Sequence, residues 1–289
     1  MSRKKLLSLI DEISVSDEKK YANLFHELKK ICYDDFYKNE PIPEKGFLVK
    51  KIIENYKDSK NIRILDHGCG AGTTIFYLIG LGYYNVVGYD VLLNLRNRYT
   101  NYNKFLNFCL NTNLEYFNLY EGINLTEKNK TIDVINSQAV MEHLDDQVYN
   151  KYLSEQIRVL KKNGIGIHII PQRLQFYDSH NRMLFVHWLP RNISIKIYKL
   201  FKVYNADINL HLRTTFYHLI KLKKFYGETF NHSLEYYMNK NIKTDDLMDG
   251  KKKRGLIFQI CNTKILNLFL PFILKYSFMH VSLSRRIHD

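Results

Sequence analysis

Ile64-Leu65-Asp66-His67-Gly68-Cys69-Gly70-Ala71-Gly72-Thr73 is the stretch whose reading decides the fold. A short apolar strand, Asn61 to Asp66, closes on an acid, and glycines follow at alternate positions before a helical run at 72–81. Glycine is required where a backbone turns sharply or where a ligand must approach the main chain without a Cβ in between. The helix beyond presents unpaired N–H groups and the positive end of its dipole. A dinucleotide loop has the form G-x-G-x-x-G, which lets a pyrophosphate sit on that dipole. Here Thr73 stands at the third glycine of that form, whereas D-x-G-x-G-x-G fits without a gap. An acid ahead of the glycines repels pyrophosphate and suits a cationic amine.

Outward from this stretch, strand-like and helix-like runs alternate. Asn85 to Asp90, Leu114 to Leu119, Thr131 to Asn136 and Gly164 to Ile170 read as strands, with helix candidates at 72–81, 91–105 and 145–161. That alternation specifies an α/β fold with a parallel sheet and helices on both faces, and with any ligand at the strands' carboxyl edge. Before it, residues 1–60 read as a helical extension: Leu6, Leu7 and Ile10, then Leu24, Leu28 and Ile31, keep helical spacing. Pro41 to Gly46 breaks these helices, and a further helix spans Phe47 to Tyr56. The core occupies 61–172 and an acceptor-covering insertion with a helix occupies 173–228. In that insertion 214–226 is helical and Gly227 is its C-cap. Residues 229–289 carry strands at Thr229 to Tyr237 and His280 to Ser284, with an apolar helix between them.

The composition excludes several classes. With 45% hydrophobic and 25% charged residues the chain can bury a core, and five prolines and thirteen glycines exclude collagenous or linker-like disorder. Cys32, Cys69, Cys109 and Cys261 form no C-x-x-C pair, which argues against a disulfide scaffold or zinc knuckle and for a reducing compartment. The start, Met1 to Ser14, reads as a helix and not a signal peptide, so the expected location is cytoplasmic. Net charge is +14, and the part from Leu189 onward holds 18 Lys and Arg against 7 Asp and Glu. Such a basic third suits an anionic partner, or is a solvated face. Ile265 to Leu274 is apolar but short and contains Pro271, so it packs on the sheet or lies in a membrane interface and does not span.

Three further elements stand in order. Asp90 ends the second strand, 24 residues after Asp66, where a carboxylate can accept both ribose hydroxyl hydrogens. Ile132-Asp133-Val134-Ile135 leads through Ser137 to Glu142-His143-Leu144, and Val159-Leu160-Lys161-Lys162-Asn163-Gly164 turns into the fifth strand. A nicotinamide enzyme would add a Tyr-x-x-x-Lys pair. Tyr198 and Lys202 have that spacing, but a lysine-rich chain with 22 tyrosines supplies it by chance.

On these four elements the chain resembles class I S-adenosylmethionine-dependent methyltransferases, over about residues 60–172. The resemblance implies a Rossmann-like, seven-stranded, mostly parallel sheet whose last strand is antiparallel. It implies S-adenosyl-L-methionine bound over Asp66, Gly68, Cys69, Gly70 and Gly72, with Asp90 on the ribose and Val91 also among the cofactor-binding residues. Ser137 would lie near the methionine or adenine end, and Glu121 and Gly122 would flank adenine. Asn163 departs from the family's usual Pro-Gly or Gly-Gly at that turn.

Several acceptors are disfavoured by absence. Amino-methylating nucleic-acid enzymes resemble one another in an Asn/Asp-Pro-Pro-aromatic motif where this chain has Asn136-Ser137-Gln138-Ala139, and arginine methyltransferases have a two-glutamate loop of which only Glu142 is present. Pro171 to Pro190 follows the fifth strand and mixes aromatics with histidines and arginines, which suits a polar ring such as a sugar. Its H…F-x-H-W-L-P pattern is similar to bacterial methyltransferases of surface-glycan synthesis. The expected reaction is O-methylation of a small-molecule or glycan acceptor, one attached to a lipid included. A histidine general base is taken in the order His180, His187, His143. The alternatives are a quinone or lipid methyltransferase, an RNA-binding modification enzyme, or a non-catalytic partner subunit. Peripheral membrane contact through the basic, apolar C-terminal part is weighed ahead of nucleic acid.

Overall fold

Strands β1 (Ile64–His67), β2 (Val86–Asp90), β3 (Phe117–Leu119), β4 (Ile132–Gln138) and β5 (Leu160–Ile170) are followed by a two-residue pair, β6 (Tyr177–Asp178) and β7 (Met183–Leu184). Strands β8 (Gly227–Asn231) and β9 (His280–Arg286) complete the chain. In the computed structural model, seven of them form one sheet in the order β3-β2-β1-β4-β5-β9-β8, while β6 and β7 pair separately. The model describes residues 2–39, 41–120, 122–175, 177–178, 183–201, 210–238, 272 and 275–288. Strands β1 to β5 run parallel, and β9 is antiparallel to both β5 and β8. The Rossmann-like expectation therefore holds, including the reversed last strand.

Alternation along the strands sorts side chains to two faces. Ile64, Val86 and Val134 join one buried cluster and their neighbours Leu65, Val87 and Ile135 the other. The first face is covered by α1 (Ser2–Ile13), α2 (Glu18–Tyr33), α3 (Pro43–Tyr56), α4 (Thr73–Gly80) and α5 (Arg96–Leu110). On the second lie α6 (Asp146–Val159) and α8 (Thr215–Tyr226), while α7 (Arg191–Leu200) and α9 (Ser233–Met238) complete the helices among the described residues. Strands covered on both faces read as continuous apolar runs, and β1 and β2 are buried throughout.

Boundaries differ from the expectations where side chains compete for the backbone. The helix after the first break begins at Pro43, not Phe47, because proline is accommodated at a helix's first position. The expected strand at Leu114 shrinks to Phe117–Leu119, since Asn107 Oδ1 accepts from Leu114 N at 2.9 Å and holds that stretch as a loop. The fifth strand starts at Leu160, with the irregular register between Ile132 and Val134 absorbing Lys161 to Gly164. The strand expected over Thr229 to Tyr237 stops at Asn231. Asn231 Oδ1 accepts from Ser233 N at 2.9 Å, and α9 follows. Thr214 caps α8 and Gly227, at φ 97°, ends it as expected. The apolar run at 255–270, with Cys261 and the Lys251–Arg254 cluster, lies outside the described residues.

Candidate functional site

Beyond β1 the chain bends through three left-handed glycines. Gly68 sits at φ 91°, and a Cβ there would lie 2.2 Å from Val140 Cγ2. At Gly72, φ 78°, a Cβ would lie 2.4 Å from the Phe117 ring. A side chain at Gly70 would instead meet nothing within 4 Å, because this residue faces a cavity of about 840 Å³. The bend is held from outside: Gly68 N and Cys69 N both donate to Tyr89 O, and Tyr99 OH donates to Gly70 O at 2.6 Å. Cys69 Sγ is 3.2 Å from the same Tyr99 oxygen, and burial pushes its thiol well up, so it is a packing group and not a nucleophile.

Two carboxylates line the cavity beside the bend. Asp90 accepts from Gly70 N (2.7 Å) through Oδ2 and from Leu92 N (3.0 Å) through Oδ1, which fixes its carboxylate beside the bend. Asp66 is 3% exposed and accepts from Asn136 Nδ2 at 2.6 Å. Burial pushes its carboxyl up to about 6, with Lys45 and the Asn136 hydrogen bond opposing. Lys45, from the first turn of α3, is buried beside it and donates to Thr74 Oγ1 at 2.5 Å and Gln138 Oε1 at 3.4 Å. Burial lowers the Lys45 ammonium below its usual range, while Glu44 and Asp66 pull the other way. Glu44 is pushed up by burial but held low overall by Lys45 and Arg3, and it pairs with the Arg3 guanidinium of α1.

Asp66 and Asp90 at the strand ends and Lys45 from α3 line one cavity, a set of charges that could hold S-adenosylmethionine. Asp66 suits its ammonium, Lys45 its carboxylate and Asp90 its ribose hydroxyls, with Gly70 leaving room for close approach. Val91, half exposed, lines the cavity with Leu92, Tyr120, Gly122 and Ile123. Glu121 lies outside the described residues. Ser137 is buried within β4, and its Oγ lies 2.9 Å from Tyr152 OH. It supports the cavity floor and does not line it. Tyr152 also donates to His67 O at 2.6 Å and stacks on the His67 ring at 3.8 Å.

The histidines separate clearly. His143, on a short helical turn Met141–His143 after β4, lines the cavity with Val140, Leu144 and Val148. Its Nε2 is 3.8 Å from Glu142 Oε1. His187 is half-buried on another such turn, Val186–Trp188, and is not among the described residues lining the cavity. His180 lies outside the described residues. Arg3, Leu6, Leu7, Glu44 and Lys45 also line the cavity, and sequence reasoning had assigned them only to a helical extension. The one signal for Lys45 was a charged pair, Glu44-Lys45, at the start of a helix amid apolar residues. Among the described residues no cluster of His, Cys, Asp and Glu could hold a metal ion, and no helix is long and apolar enough to cross a membrane.

Comparison with known proteins adds four findings. Residues 43–208 match the family described as methyltransferase domain. Ubiquinone biosynthesis O-methyltransferase of Rickettsia prowazekii (strain Madrid E) is 25% identical over 224 residues, 75% of this chain and 81% of the relative. The enzyme of the same name from Rickettsia canadensis (strain McKiel) is 29% identical over 121 residues, 42% of this chain and just under half, 48%, of the relative. A structure described as a sarcosine dimethylglycine methyltransferase from Galdieria sulphuraria aligns with TM-score 0.50 at 16% identity, over 85% of each chain.

Proposed function

We propose a specific reaction for this chain, which belongs to the methyltransferase-domain family and is an S-adenosylmethionine-dependent methyltransferase: transfer of the methyl group to a hydroxyl oxygen of a small, largely apolar acceptor. The carrying observation is the wall facing the glycine bend. There His143 lines the same cavity as the apolar side chains Leu6, Leu7, Val140, Leu144 and Val148.

When bound, the donor supplies an electrophilic methyl on a sulfonium. Asp66 and Lys45 hold its amino-acid end and Asp90 its ribose, so the chain's contribution is largely alignment of acceptor and methyl. Leu6 and Leu7 of α1 exclude water from the front of the site. His143 takes the hydroxyl proton as the oxygen attacks, a role suited to an imidazole near neutral pH. Glu142 stands behind the ring at 3.8 Å and favours the imidazolium that forms.

Apolar walls favour a quinone-precursor phenol or similar lipid over a free sugar, in keeping with the names of the Rickettsia relatives. A glycan acceptor is the second reading, favoured by the aromatic and basic segment after β5. Peripheral contact with a membrane is supported by α7 and its flanks, where Trp188, Ile193, Leu200 and Phe201 are exposed beside Lys196 and Lys199.

The test is transfer from methyl-labelled S-adenosylmethionine to a panel of catechols, prenylated hydroxybenzoates in detergent, and hydroxyl-bearing glycans. Labelled ether in the prenylated phenols is the expected product. Label on glycans alone would replace the first reading by the second, and label on nitrogen or carbon would reject O-methylation.

A further inference from the structure

We propose that Arg213 is a positioning residue of the methyl-transfer site, holding the turn from Met141 to Asp146 in the shape that sets His143 on the cavity wall. This rests on the reading of His143 as the acceptor's neighbour, and its geometry stands apart from the cofactor groups.

A guanidinium has five N–H donors in one rigid plane. In Arg213 all five are used, and four of them on this turn. One terminal nitrogen donates to Leu144 O (2.8 Å) and Asp146 Oδ1 (2.8 Å), the other to Met141 O (3.3 Å) and His211 O (2.9 Å), and Nε to Asp146 Oδ1 (3.0 Å). The plane lies over the Tyr149 ring at 4.7 Å and near Tyr217 at 5.3 Å, which keeps the fork from rotating. Asp146 is in turn held by Tyr217 OH at 2.9 Å.

The backbone around Arg213 repeats the attachment. His211 N donates to Glu142 O at 2.6 Å, and Arg173 N donates to Arg213 O at 2.9 Å. The chain returning from the segment after β5 is thus tied both to the exit of β5 and to the turn that carries Glu142 and His143. A turn of three residues makes few hydrogen bonds of its own: His143 N to Val140 O at 3.0 Å and Leu144 N to Met141 O at 3.4 Å. Within the turn Met141 O receives only that long bond, so the guanidinium fork, which donates to both Met141 O and Leu144 O, decides its shape. Lysine keeps the charge but has neither the plane nor the five donors.

The experiment compares the full chain with Arg213→Lys and Arg213→Gln by amide hydrogen exchange, by calorimetry with S-adenosylhomocysteine, and by NMR titration of the His143 ring. The expected result is exchange at His143 and Leu144 faster by about tenfold or more in both variants, the scale of losing a local opening barrier. A shifted His143 titration should accompany it, while S-adenosylhomocysteine affinity stays within about twofold, which is a few tenths of a kcal/mol. Unchanged exchange and unchanged His143 titration, with only a lower melting temperature, would reduce Arg213 to a structural residue and overturn the proposal. If the turn loosens as expected but His143→Ala leaves methyl transfer intact, the proton-acceptor reading falls and the positioning of the turn stands.

Discussion

The Lys45 ammonium lies 2.5 Å from the Thr74 hydroxyl, so a residue of the N-terminal helices reaches into the first turn of the helix that follows the glycine bend. Asp66 shares that buried space, and on the proposed reading the two opposite charges pair with the donor's zwitterionic end. Lys45→Met should therefore weaken S-adenosylhomocysteine by about tenfold or more, the range of a lost charge-assisted hydrogen bond. Adenosine, which has no amino-acid end, should bind equally to both proteins. Equal loss of both ligands would assign Lys45 to folding instead.

Gly68→Ala combines a left-handed φ of 91° with a Cβ placed 2.2 Å from Val140. Together these are expected to cost about 2–4 kcal/mol. Gly82→Ala is the control, because φ there is 89° but nothing lies within 4 Å, so only backbone strain is added. Thermal melting should show the larger drop for Gly68→Ala, and only that variant should lose S-adenosylhomocysteine affinity. Equal drops would mean that contact with Val140 is unimportant.

The part of the site legible in sequence was the part made by neighbours in the chain. Asp66, the glycines and Asp90 lie at strand ends, where the order of residues dictates their place at one edge of the sheet. Lys45 and Arg3 were not legible because they reach the site through tertiary packing: Lys45 meets Thr74 across 29 positions, and Arg3 meets Glu44 across 41. In the fold, the alternating core was readable from periodicity, whereas the end of β8 depended on one asparagine side chain capping α9. His143 follows β4 in sequence, and the path of the turn places it on the cavity wall, whereas His180 lies outside the described residues.

His143→Ala should reduce turnover by about two orders of magnitude or more with cofactor affinity kept, the usual contribution of a positioned base. Added imidazole should restore part of the rate. A variant with unchanged turnover across pH 6–9 would remove His143 from proton transfer.

Stability should fall on mild acidification. Burial pushes the His67, His168 and His280 rings down to about 3, each held neutral inside the fold. An unfolded histidine titrates near 6.5. Between these values the unfolded chain binds protons that the folded one refuses, so stability drops as pH falls, by about 1 kcal/mol per pH unit for each ring. Asp66, raised to about 6, works the other way, since the folded state gains its proton first below that pH, but one carboxyl opposes three rings. The melting temperature should decline from pH 6.5 to 5, above the range where Glu235, held down to about 2, begins to lose its charge. His280→Phe should flatten that decline. A constant melting temperature from pH 7.5 to 5 would contradict the neutral burial of these rings.

The most direct measurement is isothermal calorimetry of the full chain with S-adenosylhomocysteine, set against Asp66→Ala. The account predicts one site per chain with a micromolar or tighter dissociation constant, weakened at least about tenfold in the variant. Folded protein that gives no binding heat, or a variant that binds as tightly as the parent, would contradict the assignment of the glycine bend as the donor site.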